Sequence, residues 1–187
     1  MLFLAGGDFA EDIEQHLKSD ILQIPNLKVC SPDTIGRVLK SLAQQKEVHI
    51  SNSGIEHQFS NHENLNALNL EMLLKTKALE PKQYHDFDHQ FIPCEKYDSK
   101  KSYKMKRGYF PGVSTIGKHI IHIENRNGNT NVKYKQADTL KNAYSLIEGK
   151  NIKINRSRMD CGSFSKEIID VVEQNSKLLY ITAQRCA

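Results

Sequence analysis

No run of apolar residues in this 187-residue chain approaches the roughly 20 that a membrane span needs. The opening "MLFLAGGDFAED" has neither the basic start nor the apolar length of a secretion signal, so the expected location is the cytoplasm. Cys30, Cys94, Cys161 and Cys186 are scattered, and no C-x-x-C pair is present. That excludes the common zinc and redox signatures and leaves free, buried thiols as the expectation. There is no G-x-x-x-x-G-K-[S/T] loop, which argues against an NTPase, and there is no internal repeat or low-complexity segment.

What is present is a 39% hydrophobic composition, enough for at least one buried core, and a net charge of +4 that is unevenly spread. Residues 1–80 hold 7 Lys/Arg against 11 Asp/Glu, whereas residues 81–187 hold 19 against 11. The second part is therefore the one expected to face a polyanion. Within it, "KYDSKKSYKMKR" (96–107) sets six basic residues around two tyrosines, and "NIKINRSR" (151–158) adds three more. Basic groups interleaved with aromatics suit phosphate neutralisation and base stacking, although a solvated charged loop has the same composition.

The first 80 residues read as helices. "DFAEDIEQHLK" opens on Asp8 as an N-cap, and "SPDTIGRVLKSLAQQ" has Ser31 as cap, Pro32 in the first turn and Ile35, Val38, Leu39 and Leu42 at helical spacing. "SNHE" from Ser60 has the form of a capping box before an apolar stripe of Leu65, Leu68, Met72 and Leu73. After Pro81 the periodicity changes to that of strands. "KQYHDFDHQF", "GYFPGVSTIG" and "KHIIHIENRNG" read as strands, the last two joined tightly at Gly117 and Lys118. A helix over "YKQADTLKNAYSLIEG", a strand "NIKINRSR", a helix "SFSKEIIDVVEQN" capped by Ser163 and a strand "KLLYITAQ" follow. The expected fold is α/β: a β-β-β-α-β-α-β mixed sheet over 81–187, preceded by a helical region over 1–80.

"HDFDHQF" (85–91) carries two aspartates and two histidines within five positions. Strand alternation puts Asp86 and Asp88 on one face and His85, Phe87 and His89 on the other. Like charges that close must be solvated, share a proton or bind a cation, and carboxylates alone favour Mg²⁺ or Mn²⁺ over zinc. A zinc set of His85, His89, His119 and His122 is disfavoured, because His119 and His122 lie three apart on a strand. "RSRMDCGSF" (156–164) places Asp160 where the fourth strand yields to a helix, the usual ligand crevice of an open α/β sheet. If the first and fourth strands are neighbours, Asp160 meets Asp88, with Arg156 and Arg158 beside them.

The element order, the "DFDHQ" strand end, the "ENRNGN" turn after the third strand and "RSRMDCGSF" after the fourth together resemble bacterial insertion-sequence transposases of the DDE type. "LAGGDFAEDIEQH" and "SPDTIGRVLKSLA" resemble the helical region before the core in the subgroup whose first motif is D-x-D. The resemblance implies a ribonuclease-H-like core and DNA strand transfer with two Mg²⁺ or Mn²⁺ ions. It matches Asp88 and Asp160 to the first two catalytic, metal-binding aspartates, with Asp86 as an alternative ligand; Gln90 stands where the family commonly has a small polar residue. Double-stranded DNA is the implied partner, contacted by Lys100, Lys101, Lys104, Lys106, Arg107, Arg156 and Arg158, with a homodimer in the complete enzyme and localisation at the nucleoid. The family's third carboxylate, a Glu on a helix well beyond the fifth strand, has no counterpart before "LLYITAQRCA", so the expectation is a fragment inactive alone. Two other readings stay open: a stand-alone nuclease using Asp86, Asp88 and Asp160, and a non-catalytic nucleic-acid-binding module using the basic run.

Overall fold

The computed structural model describes residues 9–43, 46–79 and 82–182. Two compact units divide the chain, Met1–Ala43 and Gln44–Ala187. In the first, a π-helical turn (Ile13–Leu17) leads into helix α1 (Lys18–Gln23), and α2 (Pro32–Leu42) follows. Ser31 caps α2 as its sequence predicts, its Oγ accepting the Thr34 N–H at 3.3 Å. Val38 and Leu39, on the apolar face read from helical spacing, are half exposed. The Asp8 cap expected for the first helix lies outside the described residues.

The second unit is built on a seven-stranded sheet. Strands β1 (Glu47–Ile50) and β2 (Glu56–Ser60) come first, then helix α3 (Glu63–Lys75) and β3 (Lys82–His89). The short strands β4 (Ile92–Pro93), β5 (Lys100–Lys101) and β6 (Arg107–Tyr109) precede β7 (Gly112–Ile116) and β8 (His119–Arg126). Helix α4 (Gln136–Ile147), β9 (Lys153–Met159), α5 (Lys166–Asn175) and β10 (Ser176–Ile181) complete it. The sheet order is β1-β2-β8-β7-β3-β9-β10. β3, β7 and β8 form an antiparallel meander turned at Gly117, whose φ of +58° suits glycine. β9 runs parallel to β3, and β10 parallel to β9. This is the mixed sheet with crossover helices that the sequence predicts.

One face of the sheet is buried. Phe87, Ile116, Ile121, Ile154 and Met159 pack against Leu70 of α3, Leu140, Tyr144 and Ile147 of α4, and Ile168, Val171 and Val172 of α5. Beside this apolar core lies a buried ionic network. Arg126 Nε donates to Glu124 Oε1 at 2.8 Å, one Nη donates to the Tyr134 carbonyl at 2.7 Å and the other to the Thr139 hydroxyl, which donates in turn to Glu124 at 2.8 Å. The guanidinium also stacks 4.4 Å from the Phe59 ring centroid. With each group partnered, the pair escapes the heavy cost of an isolated buried charge and ties β8 to β2 and the start of α4.

Several local expectations are corrected. The first 80 residues are not all helical: β1 and β2 occupy 47–60 and extend the sheet beyond β8, where β2 pairs Phe59 with Arg126. Ser60 is held in that pairing, and α3 instead begins after His62, which is in the left-handed region at φ +51° and makes no capping bond. Its inward residues are Asn66 and Leu70, while Leu68 and Met72 of the expected stripe are exposed. Asn66 substitutes for a strand: its side chain accepts the Ile123 N–H and donates to the Ile123 carbonyl, both at 3.0 Å. α5 is preceded by Ser165, and Ser163 instead closes a 3₁₀ turn, Cys161–Ser163. The described cysteines are free, but Cys30 is exposed and Cys94 and Cys161 are half-buried.

Candidate functional site

The open face of the sheet carries a ladder of cross-strand pairs between β3 and β9: Tyr84 beside Arg156, then Asp86 beside Arg158. Phe87 pairs with Met159 on the buried face, so the next step brings Asp88 alongside Asp160. Asp160 continues β9 in extended conformation, φ −76°, ψ 173°, before the 3₁₀ turn. Two aspartates 72 positions apart thus meet because parallel register aligns two strand ends.

Their electrostatics reflect the meeting. Burial pushes the Asp88 carboxyl above its ordinary range, and the charge of Asp160 pushes the same way. The His89 N–H, donating to Asp88 Oδ1 at 2.8 Å, opposes both. Asp86 lies on the same face, yet both its oxygens accept from Arg158, from Nε at 2.5 Å and from Nη at 2.6 Å. This bidentate pair leaves Asp88 and Asp160 as the oxygens facing an unmatched charge. Two adjacent carboxylates fit a hard dication that keeps water and takes further oxygens from a phosphate. Among the described residues no group of three or more His, Cys, Asp or Glu is arranged to hold a metal.

The histidines of the heptapeptide belong to packing. His85 is fully buried, its Nδ1 3.1 Å from the Tyr144 hydroxyl. His89 stacks on Phe110, ring centroids 5.8 Å apart, and meets the edge of Phe87. Burial pulls His85 down to about 4 and His89 to about 3, so both are neutral near pH 7.

A cleft of about 490 Å³ opens over Asp86 and Asp88, lined also by His89, Gln90, Phe91, Lys104, Val113 and Thr115. Lys104 comes from the basic run, which folds into a three-stranded sheet β4-β6-β5 inserted between β3 and β7. Its ammonium lies 5.8 Å from the Phe91 ring centroid and 5.7 Å from that of Tyr103. Lys100, Lys101, Lys104 and Lys106 are exposed, whereas Arg107 is committed to its own turn, donating to the Ser99 carbonyl at 2.5 Å. Asp98 ties the insert to the chain before β1, accepting from Lys46 at 2.7 Å and from the Tyr109 hydroxyl. Arg156 lies over Tyr84 and Tyr180, at 5.4 and 5.8 Å, in a second cleft of about 350 Å³ shared with Arg158.

Around Asp160, the sequence marks Ser163 only as a helix cap and does not single out Gln136 or Gly162. Ser163 Oγ donates to Asp160 Oδ1 at 3.4 Å, and Gln136 Nε2 donates to Ser163 Oγ at 2.6 Å. At Gly162 an added Cβ would stand 3.1 Å from Asp160 Oδ1 and 3.2 Å from Val132, so the absent side chain leaves room for the carboxylate. The one available signal was the Asp160-x-x-Ser163 spacing, which closes a single turn; nothing local in the sequence points to Gln136.

Fold and site together define a mixed α/β domain with two carboxylates at adjoining strand ends and a basic insert beside them. No protein-family model and no curated protein sequence matches the chain. Among solved structures it is similar to the Mos1 transposase paired-end complex with left transposon end, at 12% identity and a TM-score of 0.36, over 95% of this chain and 55% of that one. It is also similar to the Mos1 mariner paired end complex with Mn, at 13% identity and a TM-score of 0.39, over 97% and 56%. The Mos1 strand transfer complex gives 12% identity and a TM-score of 0.37, over 98% and 55%. The chain spans about half the length of these structures.

Proposed function

We propose that this chain is the nucleic-acid-processing core of a DNA transposase, in which Asp88 and Asp160 hold Mg²⁺ or Mn²⁺ against the phosphodiester backbone of double-stranded DNA. The observation that carries this reading is the Asp88–Asp160 pair, two like charges brought together while Asp86, two residues away, is neutralised by Arg158. When bound, the metal supplies charge neutralisation and an activated oxygen nucleophile. The chain's own part is positional. Asp88 lines the cleft with Lys104 placing a cation across it, Asp160 follows the end of β9 beside Asp88, and Lys100, Lys101 and Lys106 extend the basic surface along the insert. Arg156 and Arg158 support the floor of the site more than they reach for DNA, since one is stacked and the other paired. The insertion-sequence assignment is supported by the motifs quoted above, and on that assignment the protein acts at the nucleoid.

The direct test is Mn²⁺ binding, followed by loss of the free-ion EPR signal, in the wild-type protein, Asp88→Asn and Asp160→Asn. Binding that either substitution removes supports the reading; equal binding by all three proteins overturns it. Nicking of supercoiled plasmid that needs Mg²⁺ and is lost in Asp160→Asn would favour a self-sufficient nuclease. The four exposed lysines favour a second reading, a non-catalytic nucleic-acid-binding module, which predicts salt-dependent DNA binding indifferent to metal and to Asp88→Asn.

A further inference from the structure

The side chain of Gln136 is fully buried and that of Ser163 almost so, and they form a directed chain of hydrogen bonds to Asp160. The Gln136 amide donates into Ser163 Oγ at 2.6 Å, occupying a lone pair of that hydroxyl. A hydroxyl has one proton to place, and here the Asp160 Oδ1, 3.4 Å away, accepts it. The Ser163 N–H also donates to the Asp160 carbonyl at 3.1 Å, so backbone and side chain of the aspartate are held by the same residue. Gly162 closes the other side of the carboxylate. Gln136 is the first residue of α4, directly after Lys135 in the left-handed region at φ +53°, so the chain of bonds begins on a rigid element of the fold.

We infer that Ser163, oriented by Gln136, is the positioning residue that fixes the Asp160 carboxylate for metal binding; the inference rests on the reading of Asp160 as a ligand. Carboxylate ligands are commonly held by such outer partners, and losing one typically weakens metal affinity by about 10- to 100-fold. The length of the Ser163–Asp160 bond places the expected effect near the lower end. The arrangement also predicts a polarity effect. A carboxylate at 136 has no proton to give, so it would take the Ser163 proton for itself and leave Asp160 without its donor.

The test is Mn²⁺ titration by EPR on the full chain, with far-UV circular dichroism confirming that each variant is folded at the titration temperature. Ser163→Ala is expected to weaken Mn²⁺ binding about tenfold. Ser163→Thr, which keeps the hydroxyl, is expected to restore it, and Gln136→Glu to behave like Ser163→Ala. Packing alone would not produce the Ala/Thr split. If Asp160→Asn abolishes binding while Ser163→Ala binds as wild type, or if Ser163→Thr fails to rescue, the positioning role is overturned and the metal reading survives. Wild-type protein whose Mn²⁺ binding is unaffected by Asp160→Asn overturns both.

Discussion

Lowering the pH from 7 to 5 should destabilise this protein through its buried histidines. His85 and His122 are 0% and 1% exposed, and burial pulls each down to about 4 from an ordinary value of 6.5, against an opposing pull from Asp86 at His85. The unfolded chain therefore binds more protons than the folded one between about 6.5 and 4. Their stabilising neutrality is complete above the upper value and is lost as pH falls through the window. Two-state linkage gives a loss of about 2 kcal/mol per histidine at pH 5, hence up to roughly 4 kcal/mol for the pair. Set against a typical total of about 5–15 kcal/mol, that is a large fraction.

Urea unfolding followed by far-UV circular dichroism at pH 7 and pH 5 measures the difference directly, the chain having no tryptophan to report on its core. Asp98 does not contaminate the interval. Hydrogen bonds from Lys46 and Tyr109 hold it down to about 2, so its contribution is present above its unfolded value and lost only below about 4. The double variant His85→Asn/His122→Asn should be less stable at pH 7, because the Tyr144 and Asn61 contacts are disturbed, yet show a flatter pH dependence, the remainder coming from His89, which burial also holds down. A wild-type stability that changes by less than about 0.5 kcal/mol between the two pH values would refute the assignment of these rings as buried and neutral.

Other expectations follow from single contacts. Glu124→Ala leaves the Arg126 guanidinium buried without its carboxylate and should cost about 3–5 kcal/mol in urea denaturation, with the double replacement Glu124→Leu/Arg126→Met recovering much of that loss. Gly108→Ala would set a Cβ 2.2 Å from the Ile92 carbonyl oxygen, a backbone atom that cannot yield cheaply. Limited proteolysis should then cut within 90–111 while far-UV circular dichroism shows the main sheet intact. Lys104→Ala should weaken DNA binding about equally across sequences and reduce the slope of log affinity against log salt by about 1, measured by fluorescence anisotropy.

The elements legible in the sequence are those whose pattern is set by one face of burial. β3 alternates plainly because Phe87 is in the core and Asp86 and Asp88 are not, and α4 shows Leu140, Tyr144 and Ile147 at helical spacing. β1 and β2 were hidden because they are short and polar, "EVHI" and "EHQFS", and because β2 is held by pairing with β8, a contact made across more than sixty residues. The face of α3 was misjudged for a related reason. Asn66 turns inward to satisfy the Ile123 backbone, where hydropathy alone sends an asparagine outward. At the site, alternation is enough to put Asp86 next to Asp88, but nothing local reveals that Asp86 faces Arg158, because the β3–β9 register is set by the fold as a whole.

That register also bears on the proposed metal site. Along the open face the rungs between β3 and β9 run from Tyr84 with Arg156, a cation over a ring, to Asp86 with Arg158, a bidentate ion pair; one step past the last paired residues, Phe87 and Met159, Asp88 comes beside Asp160. The first two rungs stabilise the strand pairing; the last opposes it, since like charges directly across a sheet cost on the order of 0.2–1 kcal/mol. A protein selected only for stability has no reason to keep such a rung, whereas one that binds a dication there recovers the cost in the bound state. Asp160→Asn should accordingly unfold at higher urea than wild type in EDTA, by that same order of magnitude, and the order should reverse in excess Mg²⁺, which can stabilise only the wild type. An Asp160→Asn protein less stable than wild type in EDTA would mean that the two carboxylates do not repel in the folded state, and the case for a shared metal would fall with that result.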